Sequence, residues 1–560
     1  MRGDGRDVEV MGELSEWLSD EDLATWLNID SSGKLCKIAR SHTVLATKDH
    51  EHLKLHVQVP PVPVLRWEAA DKLIDTVASA AEECLWKVLS ATHRSRAAVS
   101  FLLKHRDKSL DVPENSSSLS DADMQKLIET GFLVPLNLAP RAYIRLFAVL
   151  ELEKERRRVI GWPRALNTSE RALRDKLRQH GADVPFPSAS SIRDRIRFKY
   201  AAQLDLKKFF QQFRLYTPEF FAVRFGLASY GLSTIATGGV SPPLIAQVLT
   251  RSLCIAAVRE TGTATTVFYD CMIDNLRLVS DNFYDLSQAW EALLVLIEEL
   301  GVTVGESQPP HRDCHHYTFL GMEFDHVSKT VQPTEKLLRK LDDAMSLVLM
   351  GEMPGRELQA VFGVCLWASQ VVDYPLCEVY HIFKFMRRRA KSGLDDSTTR
   401  VWPSIIHPWC EWIAELKQSA FVYSKPHNEI APFHLFTDAS DNGWGAVCFT
   451  SNGGSVILGD KFNQRESTLH INTKEILAVK KALPLLAPSV PPKTKVHLHI
   501  DNTSALSWMK HRRAPRFVAN EIVRDVLLCA NALEICITDI SYVRSADNFA
   551  DAPSRQQPRP

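Results

Sequence analysis

The 560-residue chain lacks several features that would assign it to a class outright. No stretch approaches the roughly 18 consecutive apolar residues of a membrane span, so no membrane association is expected. The N-terminus, MRGDGRDVEVMGELSEW, has neither the apolar core of a signal peptide nor the acid-poor bias of a transit peptide. An intracellular location, cytoplasm or nucleus, is the expectation. The 11 cysteines form no CxxC pair, which argues against a disulfide framework or a zinc ribbon and for a reducing compartment. No internal repeat is visible. Net charge is missing too, since 67 Lys+Arg balance 67 Asp+Glu. On its face that balance argues against a nucleic-acid binder.

What is present is an ordinary globular composition, 45% hydrophobic and 24% charged. At roughly 150 residues per domain, the length implies three or four domains. The charge is also unevenly placed. Residues 1–50 carry 6 basic and 10 acidic side chains, residues 151–220 carry 16 and 9, and residues 431–560 carry 15 and 12. Three basic clusters, KERRRVIGWPR (Lys154 to Arg164), KFMRRRAK (Lys384 to Lys391) and KHRRAPR (Lys510 to Arg516), mix Arg with apolar or aromatic residues. Phosphate-contacting surfaces have that texture; a solvated helix face has it equally often.

Along the chain, residues 1–130 read as polar helices and loops of unknown role, mostly helical, with PENSSSLSDAD (Pro113 to Asp123) as a linker ending in a helix cap. Residues 131–330 alternate short β-rich runs with helical stretches. Residues 331–430 read as helical, opening from a cap at Pro333 and Thr334. Residues 431–560 begin with three strands and continue with helices alternating with strands, which predicts an α/β domain on a mixed sheet. The overall class is α/β (α+β). Trp17, Trp26, Trp67 and Trp86 are expected to anchor helix packing. HRDCHHYTF (His311 to Phe319) gathers three His and one Cys, but adjacent His315 and His316 rarely share an ion and no second half-site is near, so no zinc is expected.

Four acids of the last domain share a topological habit. Asp438 closes the first strand, Glu475 begins the first helix, Asp501 closes a central strand and Asp551 lies in DNFADAPSR. Strand ends and helix starts on one sheet edge converge, and clustered carboxylates repel one another unless divalent cations neutralise them. Singly, each is equally a turn or cap residue. Together, TDASDNGWGA (Thr437 to Ala446), NTKE (Asn472 to Glu475), HIDN (His499 to Asn502) and NFADAPSR (Asn548 to Arg555) resemble the ribonuclease H domain of retroelements. The resemblance implies cleavage of RNA in an RNA–DNA hybrid, with Asp438, Glu475, Asp501 and Asp551 as catalytic acids holding two Mg²⁺ or Mn²⁺ ions.

The preceding region resembles a reverse transcriptase, which implies a right-hand polymerase. The fingers and palm occupy 131–330, the thumb or connection 331–430, and the ribonuclease H-like domain 431–560. AAQLDLKKFFQQFRL is similar to the motif whose Asp, here Asp205, holds both cations, and Phe210 matches the aromatic beneath the incoming sugar. RRRVIGWPRALN is similar to the fingers motif that grips the triphosphate, here through Arg158 and Arg164. TGGVSPPLIAQVL resembles the loop against base and template, with Gly238 and Ser241 at the matching positions. YTFLGMEFD resembles the primer grip, with Leu320 and Gly321 at its core.

One motif departs. CMIDNLRL supplies Asp274 at the first acidic position but Asn275 at the second, and Met272 in place of an aromatic. The expectation is an active polymerase with weakened metal affinity. Two alternatives stay open: a decayed or host-adopted copy that only binds nucleic acid, and a ribonuclease H carried on a structural palm. Short strings such as ERRRVIGWPRALN and DNFADAPSR look closest to DIRS-like tyrosine-recombinase retrotransposons, in particular the VIPER elements of trypanosomatids. The resemblance implies as partners an RNA template, a DNA primer, the RNA–DNA hybrid and deoxynucleoside triphosphates. A recombinase and a capsid-like protein of the same element would be encoded separately, because the chain ends just after the ribonuclease H motif and shows no protease-like Asp-Thr/Ser-Gly string. By position, Arg387, Arg388 and Arg389 in the thumb, and Arg512 and Arg513 in the last domain, are expected to grip hybrid phosphates.

Overall fold

The computed structural model describes residues 57–58, 63–114, 116–151, 156–313, 315–392, 397–423, 432–450 and 453–555. Trp17, Trp26, Lys154, Cys314 and the acidic stretch 1–50 lie outside the described residues. The chain divides into two compact units, 1–320 with 324–327 and 321–323 with 328–560.

In the first unit, helices Trp67–Val77 (α1) and Ala80–Arg94 (α2) precede an antiparallel pair of strands Arg145–Glu151 (β1) and Arg156–Trp162 (β2). Helix α2 starts where it does because Ser79 and Glu82 form a capping box, each side chain bonding the other's backbone N–H. Helix Arg164–Gln179 (α3) follows β2. Strands Tyr200–Leu206 (β3), Val267–Met272 (β4), Asn275–Ser280 (β5) and Val304–Gln308 (β6) make an antiparallel sheet in the order β6–β3–β5–β4. Helices Pro242–Glu260 (α4) and Phe283–Glu299 (α5) pack on it. Helix α4 is apolar on nearly every side because α1, α2, α5 and β4 surround it.

Trp67 and Trp86 are each 1% exposed, 5.7 Å apart between ring centroids, as packing anchors should be. The boundary expected at residue 130 is not a break. Apolar residues from Leu65 to Leu127 join the same core as this four-stranded sheet, so the helical region belongs to this unit.

In the second unit, helices Glu335–Met350, Gly355–Val372, Tyr380–Ser392 and Pro403–Gln418 fill the stretch expected to be helical. Thr334 caps the first through the Leu337 N–H. Then come strands Phe433–Ala439 (β7), Gly443–Phe449 (β8) and Ser455–Lys461 (β9), helix Ile471–Leu486 (α6) and strand Lys495–Ile500 (β10). Helices Thr503–Lys510 (α7) and Phe517–Ala532 (α8) and strand Cys536–Tyr542 (β11) complete the domain. The sheet order is β9–β8–β7–β10–β11, antiparallel through β9, β8 and β7 and parallel through β7, β10 and β11. This is the mixed sheet expected from the strand–helix pattern. No helix among the described residues is long and apolar enough to cross a membrane.

Candidate active sites

The four-stranded sheet of the first unit brings two of the predicted acids together. Asp205 lies near the end of β3 in register with Asn275, and Asp274 sits in the tight turn between β4 and β5. The Leu206 N–H donates to the Asp274 carbonyl at 2.8 Å, tying strand end to turn. Burial holds the Asp274 carboxyl above the usual range; the charge of Asp205 adds to this, and Arg158 opposes it. Asn275 donates its Nδ2 to Asp274 Oδ1 at 2.9 Å. The substitution therefore exchanges a repelling carboxylate for a donor that steadies its neighbour.

Several residues that support this turn carry no motif in the sequence. Ile273 adopts a left-handed φ of 59°, a conformation a β-branched residue avoids unless held. Gln247 of α4, fully buried, holds it: its Oε1 accepts the Ile273 N–H at 2.8 Å and its Nε2 donates to the Cys271 carbonyl at 3.0 Å. Beneath the hairpin Arg277 is fully buried, paired with Asp270 at 2.6 Å and stacked over Phe319 and Phe324. Neither was foreseen; an alternating β4–β5 pattern broken by a buried Arg and Asp was the available signal.

Arg158, near mid-strand in β2, is near enough for its charge to reach Asp274 and lies 3.6 Å from Glu151. Arg164 opens α3 with its guanidinium 5.9 Å from the Trp162 ring. Phe210 is half-buried against the core. Gly238 donates its N–H to the Gly161 carbonyl, and a Cβ there would stand 2.7 Å from that oxygen, so a glycine is needed for the loop to lie against β2. Ser241 is a correction. Expected beside base and template, it is fully buried, its hydroxyl donating to Glu170 Oε1 at 2.8 Å and 2.9 Å from His93 Nε2. Burial raises the Glu170 carboxyl and lowers the His93 imidazole to about 3. The serine fastens its loop to α3 and α2. Leu320 and Gly321 form a two-residue hairpin turn with φ of 51° and 78°, the backbone a type I′ turn requires, at the point where the two units divide.

In the second unit three of the four expected acids converge. One oxygen each of Asp438, Glu475 and Asp501 lie within 4.8 Å of one another. Asp438 is buried near the end of β7 and accepts the Ser554 hydroxyl; Asp501 follows β10 and accepts the Ser545 hydroxyl at 2.8 Å. Burial, with the neighbouring acids adding, lifts Asp438 to about 6 and Glu475 to about 9. Glu475 Oε2 is buried without a hydrogen-bond partner among the described residues. A buried carboxylate oxygen without a partner, on one of three converging acids, fits a divalent cation, whose charge would relieve the repulsion. Asp551 stands outside the trio with its Oδ1 bound to Arg555 at 2.6 Å, although its charge still raises Asp438. The Asn residues of two motifs also meet: Asn502 Nδ2 donates to Asn472 Oδ1 at 3.0 Å while its Oδ1 caps α7.

The basic clusters expected to face a hybrid largely face each other. Arg387 donates to the Pro515 carbonyl at 2.7 Å, Arg512 pairs with Asp373 at 2.9 Å, and Arg513 lies 4.0 Å from the Phe383 ring centroid. Burial, and then Arg387, lower the Arg513 guanidinium. These contacts fasten the helical stretch to the last domain. Arg388 remains exposed, 5.3 Å from the Trp402 ring, and Arg389 lies 5.4 Å from the Phe385 ring.

No curated protein matches the chain. Among solved structures, it is similar to the foamy viral protease-reverse transcriptase in complex with double-stranded DNA at 14% identity and a TM-score of 0.44, covering 88% of this chain and 98% of that one. A complex of its dRH form with double-stranded DNA gives 14% and 0.43 over 87% and 84%. The complex with RNA/DNA hybrid gives 13% and 0.42 over 90% and 66%. Residues 429–522, which contain Asp438, Glu475 and Asp501, match the family of the RNase H-like domain found in reverse transcriptase.

Proposed function

We propose that the chain is the RNA-directed DNA polymerase of a retrotransposon, DIRS-like, that also cleaves the RNA strand of the hybrid it makes. The observation that carries this reading is the carboxylate trio Asp438, Glu475 and Asp501, with its orphaned Glu475 oxygen, inside the segment matched to the reverse-transcriptase-associated family. A second acidic pair, Asp205 and Asp274, in the palm sheet of the same chain supports the polymerase half.

Each acidic group would hold Mg²⁺ or Mn²⁺, which supplies Lewis acidity and charge neutralisation for phosphoryl transfer. The protein's own groups do the rest. Arg158 sets a positive charge beside Asp274, where a triphosphate belongs. Phe210 closes the space beneath a deoxyribose, and Gly238 keeps its loop against β2. Ser554 and Ser545 orient Asp438 and Asp501 by hydrogen bonds that leave oxygens open. Arg388 offers an exposed cation to a phosphate backbone.

The test is extension of a DNA primer on an RNA template, run beside hybrid cleavage, with Mg²⁺ and again with Mn²⁺. Asp205→Ala abolishes extension and spares cleavage; Asp438→Asn does the reverse. Cleavage without extension in the native chain would leave the palm structural, and hybrid binding with neither activity would make the chain a binding protein only.

A further inference from the structure

The edge strand β6 does something beside Asp205 that no motif records. Its register against β3 slips between Val304 and Ser307, so Gly305 and Glu306 form a bulge opposite the acid. The Glu306 N–H donates to Asp205 Oδ1. A Cβ on residue 305 would stand 2.6 Å from Asp205 Oδ1 and 2.9 Å from Oδ2. Gly305 is not among the residues with positive φ, so its backbone does not ask for glycine. The carboxylate does.

The strand cannot yield to relieve such a contact. Gln212, 1% exposed, accepts the Thr303 N–H at 2.7 Å and donates to the Thr303 carbonyl at 3.0 Å. The Lys207 N–H donates to the same carbonyl at 3.0 Å. With the start of β6 clamped to the turn after Asp205, the mobile partner is the acid itself. Any side chain at 305 turns the carboxylate out of its place.

We propose that the Gly305–Glu306 bulge is a cradle that aims the Asp205 carboxylate at its divalent cation, with Gly305 and the Glu306 backbone N–H as positioning groups of the polymerase site. The proposal rests on the reading of Asp205 as a cation ligand. The backbone donor takes one lone pair of Oδ1 and leaves Oδ2 and the remaining lone pair to the ion. It fixes the side-chain rotamer before the ion arrives, as hydrogen bonds behind metal ligands commonly do.

The test measures Mn²⁺ binding by electron paramagnetic resonance on the full chain carrying Asp438→Asn and Glu475→Gln, so that the palm site dominates the signal. Adding Gly305→Ala lowers the affinity by about 10- to 100-fold, the range for lost support behind a ligand. Thermal unfolding stays where it was, because the three atoms nearest the added methyl all belong to the movable carboxylate. Glu306→Pro, which removes the donor without adding a side chain at 305, lowers affinity likewise. Hydrogen exchange gives a metal-free readout: the Glu306 amide is protected in the parent and exchanges faster in Gly305→Ala and in Asp205→Ala. Unchanged Mn²⁺ affinity in Gly305→Ala, with Asp205→Ala abolishing binding, overturns the cradle alone. Unchanged binding in Asp205→Ala overturns the reading of Asp205 as a ligand, and the cradle with it.

Discussion

Replacing Glu475 with glutamine should stabilise the metal-free protein at neutral pH, although it removes a site carboxylate. Glu475 is 4% exposed, and burial, followed by Asp438 and Asp501, lifts its carboxyl to about 9. Its folded-state value thus lies above the unfolded value of 4.5. Below pH 4.5 the group is protonated in both states. Between there and about 9 the unfolded chain releases a proton that the folded chain keeps, so stability falls as pH rises. The slope is about 1.4 kcal/mol per pH unit, or about 3 kcal/mol between pH 5 and pH 7. For a unit of this size that is on the order of 6–12 °C in midpoint. Asp438, raised to about 6, steepens the fall between 3.8 and about 6. Glu475→Gln keeps the shape and abolishes the larger slope. Calorimetric unfolding of the full chain in EDTA from pH 5 to pH 9 measures it, and the relevant transition is the one that Mg²⁺ moves upward. A native transition as flat across that range as the variant's would refute the reasoning.

Three further outcomes follow from other contacts. Asn275→Asp replaces the donor on Asp274 with a third acid, and the Mg²⁺ concentration for half-maximal primer extension should fall about tenfold, equivalent to about 1.4 kcal/mol of ion binding; no change would mean the amide serves as well. Arg513→Ala should lower thermal stability by about 1–2 kcal/mol through lost stacking on Phe383 while leaving hybrid affinity intact, whereas Arg388→Ala should reduce the salt dependence of hybrid binding by about one counterion.

The last domain was legible because its signals are local. Short strands, the helices that follow them and acids at strand ends all lie within a few residues of the feature they specify. The Thr334 cap and the helices after it were readable for the same reason. What escaped depends on pairs far apart in sequence. Gln247 reaches Ile273 across 26 positions, Glu306 reaches Asp205 across 101, and Arg387 reaches Pro515 across 128. None leaves a period or a spacing. Ser241 misled because a motif position carries a residue type but not its depth.

The lack of room at residue 305 has a consequence for judging whether a related sequence keeps this site intact. Inspection of a related sequence for damage goes first to the acids themselves. Every missense change in a glycine codon adds at least a Cβ, and at 305 even the smallest enters the volume of the Asp205 carboxylate. A related sequence can therefore keep Asp205 and Asp274 unaltered and still have the Asp205 carboxylate displaced by a change 100 residues downstream. Position 305 belongs in the inspection beside the acids.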